Sequence, residues 1–494
     1  MTPSSGLMGQ SGGFGMECVI GVDLGTTALK AVVLDLAGQR LGETSSAYPT
    51  HRPAAGLAEQ DPLDWWRLLV GALQAFEGKA KVRALCITSQ VNTHVFVDGS
   101  LNVLHPAIVW QDGRAAAAGA EIDARLTLAD KIAALGAPIP IDASHALARM
   151  NWMAQTHPQI WAQTAHVLLP RDYLLARLTG RVLSDPMSSV GLVGTDLTYA
   201  AAITGLLAGA ASRLPALADP LAVAGVVQAG LPFAGTPVVV GMMDAWASLM
   251  GLGVVRDGQA MLVSGTSEVT GLISPTVTGE AGVVTFAPWA GITLHAGPTQ
   301  AGGGSLDWLA RLLGRSVADL AQGAAQITAG SPLFLPHLQG ERAPFWDATL
   351  RGTFAGLTGA TGPEALTTAV MEGVAFSARL ALEALERSGG VHPPKLRLGG
   401  GGAASDLWCQ IRADALNRPL TRVAGKDPAA IGAAVMAGVG SGALPDLATA
   451  AERLVRIDRV FTPDPTMAQL ADRRFALWCD LITQTRTINA ALAG

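Results

Sequence analysis

A chain of 494 residues accommodates two large domains or three average ones at roughly 150 residues each, and is long enough to bury sizeable cores. Its 34 Lys+Arg against 39 Asp+Glu give a formal charge of −5, and only six lysines occur, so no nucleic-acid surface and no polybasic membrane attachment is expected. Hydrophobic residues at 49%, charged residues at 15% and 58 glycines describe a soluble enzyme rather than a disordered chain.

Residues 1–15 are rich in Ser and Gly and lack the basic and apolar stretches of a signal peptide, so they read as a disordered N-terminal extension. Apolar runs over 18–22 and 29–36, a turn at Gly25-Thr26-Thr27, a break at Gly38 and a further run over 40–47 predict an antiparallel meander. Asp61 as N-cap and Pro62 at the first helical position open a helix with Trp65, Trp66, Leu69 and Leu73 on one face. A buried, parallel-type strand is expected over 82–88, short extended runs over 95–97 and 107–110, and largely helical, Ala-rich chain over 126–178. The most membrane-like stretch, 238–255, carries Asp244 near its middle, which costs roughly 2.5–3.5 kcal/mol on insertion. It reads instead as buried strand, loop and helix, and no span is assigned.

The second half repeats this grammar. A strand over 259–264, a turn at Gly265-Thr266-Ser267 and a strand over 268–273 are followed by helices around 306–313 and 363–388. A short strand at 395–398 then runs into Gly399-Gly400-Gly401-Gly402, with helices over 405–416 and 427–438. The domain boundary falls near 254–258, giving an N-terminal domain over 16–254 and a C-terminal domain over 255–494. Cys18, Cys86, Cys409 and Cys479 are scattered without a CxxC pair, so structural zinc and a disulfide framework are poor readings; a reducing, cytoplasmic location fits.

Four segments can carry chemistry. In Asp23-Leu24-Gly25-Thr26-Thr27, glycine lets the backbone approach an anion, successive N–H groups form a phosphate nest, and the threonine hydroxyls add donors. Asp23 is placed to hold Mg²⁺ directly or through water. An ordinary hairpin turn capped by Asp and Thr is the plainer alternative. Ser264-Gly265-Thr266-Ser267 repeats the device, and two such turns, one per domain, can grip a polyphosphate from opposite sides of a cleft. The run from Gly399 to Ala404 matches G-x-G-x-x-A, but the Rossmann carboxylate expected about 20 positions on is missing from Arg418-Pro419-Leu420-Thr421-Arg422. Glycines against which an adenine or α-phosphate lies explain Gly400, Gly401, Gly402 and Ala403 equally well. No G-x-x-x-x-G-K-[ST] occurs, which excludes a P-loop.

Asp244 closes the apolar run Val238-Val239-Val240-Gly241-Met242-Met243, at the end of a buried strand where open α/β sheets place ligands. Such a carboxylate can deprotonate an attacking hydroxyl, and a helix N-cap is its alternative. Trp110-Gln111-Asp112-Gly113-Arg114 and Gln90-Val91-Asn92-Thr93-His94 follow extended runs and offer an aromatic face and hydrogen-bonding groups to a sugar.

At this point the chain resembles the FGGY carbohydrate kinases, which share the actin, Hsp70 and hexokinase fold. The resemblance runs from about Cys18 to the C-terminus. It rests on Asp23 to Thr27, Glu59-Gln60-Asp61-Pro62 with Trp65-Trp66, the 107–114 segment, Ser264 to Ser267, Gly340-Glu341-Arg342, the 352–372 segment and Gly400 to Ala403. Among members it looks most like xylulose kinases, with glycerol kinases next. The resemblance implies an α/β fold of two ribonuclease-H-like domains flanking a catalytic cleft, the N-terminal one binding sugar and the C-terminal one binding ATP. It implies Asp244 as catalytic base, Asp23 and Asp244 as metal-associated carboxylates, and Gly25, Thr26, Thr27, Gly265, Thr266 and Ser267 as phosphate-binding turns. Gly401 and Gly402 would fall on the adenine side. The expected reaction is in-line transfer of the γ-phosphoryl of Mg-ATP to a primary hydroxyl.

The departures fall on the acceptor. Xylulose kinases usually read Gln-Met-His-Gly where this chain has Gln90-Val91-Asn92-Thr93, and glycerol kinases carry Arg-Glu at Val91-Asn92. The usual Asn or Gln after the base is Ala245, followed by Trp246, and Arg149 stands where a signature Lys is usual. Gln90, Val91, Asn92, Trp110, Asp112 and Trp246 are therefore the candidate acceptor-binding residues. The expected partner is a small sugar or polyol, first a ketopentose such as xylulose and otherwise glycerol, another polyol or an aldonate. A homodimer is left open. A non-catalytic sugar sensor or ATPase of the same fold is the rival from another class.

Overall fold

A computed structural model describes residues 16–78 and 81–492, and the extension expected over 1–15 lies outside them. Strands β1 (Glu17–Leu24), β2 (Ala28–Asp35) and β3 (Arg40–Ala47) form the antiparallel meander. The continuous apolar runs of β1 and β2 are buried on both faces, whereas the polar β3 is left at the edge. Helix α1 (Pro62–Gln74) starts where Asp61 accepts a hydrogen bond from the Leu63 N–H, and it buries Trp65, Leu69 and Leu73 but only part of Trp66. It returns the chain to β4 (Lys81–Ser89), parallel to β1, and β5 (Pro237–Val239) adds in parallel beyond β4. With Val223–Val226 at the far edge, the sheet order is Val223–Val226, β5, β4, β1, β2, β3. Helix α2 (Asp244–Gly251) follows β5.

The second sheet is built from β6 (Ala260–Ser264), β7 (Glu268–Ile273), β8 (Leu294–Thr299), β9 (Leu396–Gly399) and β10 (Leu420–Val423). Its order is Val284–Thr285, β8, β7, β6, β9, β10, Ile457–Phe461. With the edge strands Val223–Val226, Val284–Thr285 and Ile457–Phe461 set aside, each sheet contains the order third, second, first, fourth, fifth strand. This is the duplicated α/β architecture expected. Helix α3 (Pro363–Gly389) is long and apolar enough to cross a membrane, but most of it is buried in the second lobe. Helix α4 (Pro428–Gly440) belongs to the second lobe by sequence yet lies against β1, β4 and α2 of the first.

That contact is close. A Cβ at Gly21 would sit 1.9 Å from the Ala430 carbonyl oxygen, one at Gly251 1.8 Å from that of Pro428, and one at Gly432 1.7 Å from that of Ala247. The lobes are therefore joined through one apolar core, from Val19 and Cys86 through Trp246 and Met261 to Ala437.

Two stretches differ from expectation. The 126–178 region divides into helices Leu128–Leu135, Ala146–Thr156, Pro158–Gln163 and Pro170–Thr179. Gly136 stops the first in a left-handed conformation, and Pro138, Pro140 and Pro158 prevent one continuous helix. The interposed strand His166–Leu168 completes a small sheet with His94–Val97, Val103–Ile108 and Glu59–Gln60. Strand β8 carries too little periodicity in Leu-His-Ala-Gly-Pro-Thr to be read locally, and it forms because β7 offers a pairing edge.

Candidate active site

Parallel pairing of β1, β4 and β5 brings their C-terminal ends to one edge. Asp23 pairs with Thr88 and Leu24 with Ser89, while Ser89 bridges Met243 and the Thr88 hydroxyl donates to the Met242 carbonyl at 2.6 Å. Asp23, Gln90 and Asp244 are thereby gathered at the rim of the first sheet.

Asp23 is almost fully buried, and its Oδ1 has no hydrogen-bond partner. Burial pushes its pKa up to about 8; Lys30 acts against the rise, and Asp244 and Asp427 add to it. Asp244 opens α2, so the helix start and the base candidate are the same residue. One of its oxygens accepts from the Ala245 N–H at 2.8 Å, and desolvation raises its pKa to about 6. Lys30 is ion-paired with Asp427, which precedes α4. Burial opposes the Lys30 charge, but Asp23 and Asp427 outweigh it and raise its pKa. Three carboxylates and one ammonium, drawn from both lobes, thus act on one another.

The first glycine turn is held from several sides. The Gly25 N–H donates to the Ala28 carbonyl at 3.1 Å, and the Tyr48 hydroxyl donates to the Gly25 carbonyl. The Gln60 amide donates to the Thr26 carbonyl at 2.8 Å, and the Trp110 indole Nε1 donates to the Thr26 hydroxyl at 3.0 Å. Thr27 is exposed at the tip. Gln90 donates to Gln60 at 3.0 Å, leaving its own buried Oε1 without a partner. Asn92 adopts a left-handed backbone at φ 55°, and its amide reaches the Ser144 hydroxyl at 3.4 Å. Gln90, Asn92 and Trp110 thus belong to the same rim as Thr26.

Three expected acceptor residues are placed otherwise. Both oxygens of Asp112 are engaged, Oδ1 by the Arg114 backbone N–H and Nε, and Oδ2 by the Ala58 N–H at 2.6 Å and by Arg114 Nη2. Burial raises its pKa, but these donors outweigh it and hold the carboxyl below its ordinary range. It builds the loop rather than facing an acceptor. Trp246 is fully buried, edge-on to Phe286 and Trp289 in the shared core, because its side of α2 faces inward. Val91 packs against that same core.

The second glycine turn sits at the equivalent place between β6 and β7. The Gly265 N–H donates to the Ser267 carbonyl at 2.9 Å, and the Gly303 and Gly304 N–H groups donate to the Gly265 and Thr266 carbonyls at 2.8 and 2.9 Å. A Cβ at Gly302 would lie 2.6 Å from the Thr266 oxygen. Because β9 is parallel to β6, with Val263 opposite Gly399, the glycine run lies beside this turn. Gly400 has φ 93° and no room for a Cβ, which would meet the Ser264 oxygen at 2.4 Å. Gly402 is pressed on the Ser264 hydroxyl, Gly401 is open, and Ala403 is buried at the end of a short 3₁₀ turn.

A fully buried pair that the motifs did not reveal fastens these loops. Arg412 donates to Glu268 at 2.5 Å, to the Ser264 hydroxyl at 2.8 Å and to the Gly402 carbonyl at 3.0 Å. Arg149, Lys30 and Asp427 were likewise not singled out as site residues. Buried Arg149 donates to the carbonyls of Asn92, Ile108, Val109 and Ala143, with no carboxylate partner, and burial lowers its pKa to about 9. At Arg149 the available signal was a lone charge among Ala, Leu and Met in Ala146–Thr156, whereas Arg412 lies among Asp406, Gln410 and Asp414 and gave none.

Two lobes of one topology, each presenting a glycine turn at the carboxyl end of its first strand, with Asp23, Asp244 and Asp427 converging beside the first, define a two-lobed phosphotransferase architecture. The comparisons agree. Residues 18–251 match the model for the N-terminal domain of the FGGY family of carbohydrate kinases, and residues 260–441 match that for its C-terminal domain. A xylulose kinase of Escherichia coli is 32% identical, covering 85% of this chain and 89% of its own. One of Bacillus subtilis is 29% identical, covering 97% and 99%. The crystal structure of a gluconate kinase from Lactobacillus acidophilus has a TM-score of 0.84 at 25% identity, covering 95% of this chain and 98% of that one. Glycerol kinases match as well. The chain belongs to the FGGY family of carbohydrate kinases.

Proposed function

We propose that the protein phosphorylates a primary hydroxyl of a ketopentose, xylulose first, using ATP, with the acceptor held by the first lobe and the nucleotide by the second. The observation that carries this reading is Asp244, a carboxylate at a strand end beside the Thr26 turn and Asp23. Fixed by the Ala245 N–H, Asp244 takes the proton of the acceptor hydroxyl as that oxygen attacks the γ-phosphorus. The new P–O bond forms as the β,γ-bridging P–O bond breaks, and ADP leaves. The turns at Thr26 and Thr266 supply backbone and hydroxyl donors to the phosphates, and Gly400, Gly401 and Gly402 give a nucleotide close access to the backbone.

Among the described residues no cluster of three or more His, Cys, Asp or Glu could hold a metal by itself. Mg²⁺ commonly takes only one or two carboxylates together with substrate phosphates and water, and the orphaned Oδ1 of Asp23 fits that donor set. Asp23, with Asp244 nearby, would hold the ion, which supplies charge neutralisation to the phosphates. The acceptor identity rests on the xylulose kinase relatives; gluconate and glycerol kinases among the similar proteins make aldonates and polyols the second reading. A coupled ADP-release screen across pentuloses, hexuloses, glycerol, tetritols and aldonates tests it. Release stimulated by a pentulose above all others is expected, and release indifferent to every acceptor overturns it.

A further inference from the structure

The Gly340-Glu341-Arg342 segment has no part in the mechanism above, yet it brings a cation from the second lobe to the acceptor rim of the first. The Arg342 guanidinium lies 5.2 Å from the centre of the Trp110 ring. Its backbone is fixed: the Arg342 N–H donates to Glu341 Oε1 at 2.8 Å, the Trp346 N–H donates to the Arg342 carbonyl at 2.5 Å, and the Ala343 N–H donates to Pro298 in β8 at 2.9 Å.

Four buried arginines are held by several partners each. Arg149, Arg171, Arg412 and Arg474 each make several hydrogen bonds to carbonyls, carboxylates or a hydroxyl. The half-buried Arg342 side chain makes none, and no carboxylate lies within ion-pair distance. Burial lowers its pKa, while Asp142 and Glu341 act in the opposite direction. Asp142 is tied to Ser144, and Ser144 to Asn92, so the free guanidinium faces the group of residues at the acceptor end of the rim. A planar fork with open donors above an aromatic face is a recognition element for adjacent oxygens.

We propose that Arg342 is a specificity-determining residue that donates hydrogen bonds to paired oxygens at the end of the acceptor remote from the transferred phosphoryl. The acceptor is then a polyhydroxylated chain of pentose length or longer, resting on Trp110 and capped by the second lobe, and a triol is too short to reach. This rests on the kinase reading of the site. The paired oxygens belong either to a vicinal diol or to a carboxylate.

The test is steady-state kinetics of the full chain and of Arg342→Met and Arg342→Lys with ATP against xylulose, xylonate and glycerol, each variant first shown to melt as the parent does. Arg342→Met is expected to raise KM for the five-carbon acceptor by about ten- to a hundredfold, with KM for ATP and the residual rate on glycerol unchanged. Arg342→Lys restores part of the loss. The larger loss on xylonate identifies a carboxylate, and on xylulose a diol. Equal losses on glycerol and the longer acceptors, or a matching rise in KM for ATP, would reduce Arg342 to a general closing contact and overturn the assignment. A parent protein that phosphorylates none of the three defeats the acceptor reading itself, which is a separate result.

Discussion

In the proposed role of base, Asp244 must be ionised to accept a proton, and desolvation raises its pKa to about 6. Turnover should therefore climb with pH through that value, and a cation bound beside it, favouring the carboxylate, moves the limb to lower pH. Asp244→Asn is expected to lower kcat by about 10²–10⁴-fold while ATP still binds, as read from coupled ADP release and nucleotide titration. Asp23 gives a stability test of the same physics. Its folded pKa of about 8 lies above the ordinary 3.8, so the fold favours the neutral form. That contribution is complete below the ordinary value and is lost as pH rises through the folded one. Metal-free protein should lose melting temperature between about pH 4 and pH 8, less steeply in Asp23→Asn. Added Mg²⁺ near the upper end should raise the melting temperature of the parent and not of Asp23→Asn. Unchanged slopes in the two proteins would remove Asp23 as the titrating group.

At the scale of elements, a buried ion pair joins the two loops proposed to meet the nucleotide. Arg412 sits on Asp406–Leu416, Glu268 begins β7, and their bond crosses from the glycine run to the second turn. Removing one partner strands the other charge in the interior, at a cost of about 3–5 kcal/mol. Arg412→Met is expected to melt markedly earlier and to raise KM for ATP with KM for the acceptor little changed, separable by varying one substrate at a time. The strands and helices that frame this arrangement were legible because their signals are local: alternating and continuous apolar runs, Asp61-Pro62 and the two Gly-Thr turns. The staple was not, since Arg412 and Glu268 are 144 residues apart in sequence and meet only through β6, β7 and the helix Asp406–Leu416. The rim proposed to hold the acceptor was half legible for the same reason. Trp110 and Asn92 end short runs and reach the rim, whereas Asp112 two residues further is captured by Arg114, and Trp246 is carried inward by the rotation of α2.

For the molecule as a whole, the decisive feature is that α4 is covered by the other lobe. Ala429, Ala430, Ala433, Ala434 and Ala437 are all buried, and the core they enter runs without a break from β1 to β6. Small side chains are what the site requires, because the backbones of α2 and α4 approach too closely for a Cβ at Gly251 or Gly432. Neither lobe can unfold without exposing the apolar face of its neighbour, so heat should disrupt both together. Calorimetry of the full chain is expected to show one transition. Gly432→Ala forces a Cβ against the Ala247 backbone, and overpacking of this kind typically costs about 1–3 kcal/mol, more where backbone must move. The same single transition should therefore move to lower temperature in Gly432→Ala. Two separate transitions in the parent protein, or a Gly432→Ala melt that lowers one lobe and leaves the other in place, would show that the shared core does not couple the lobes.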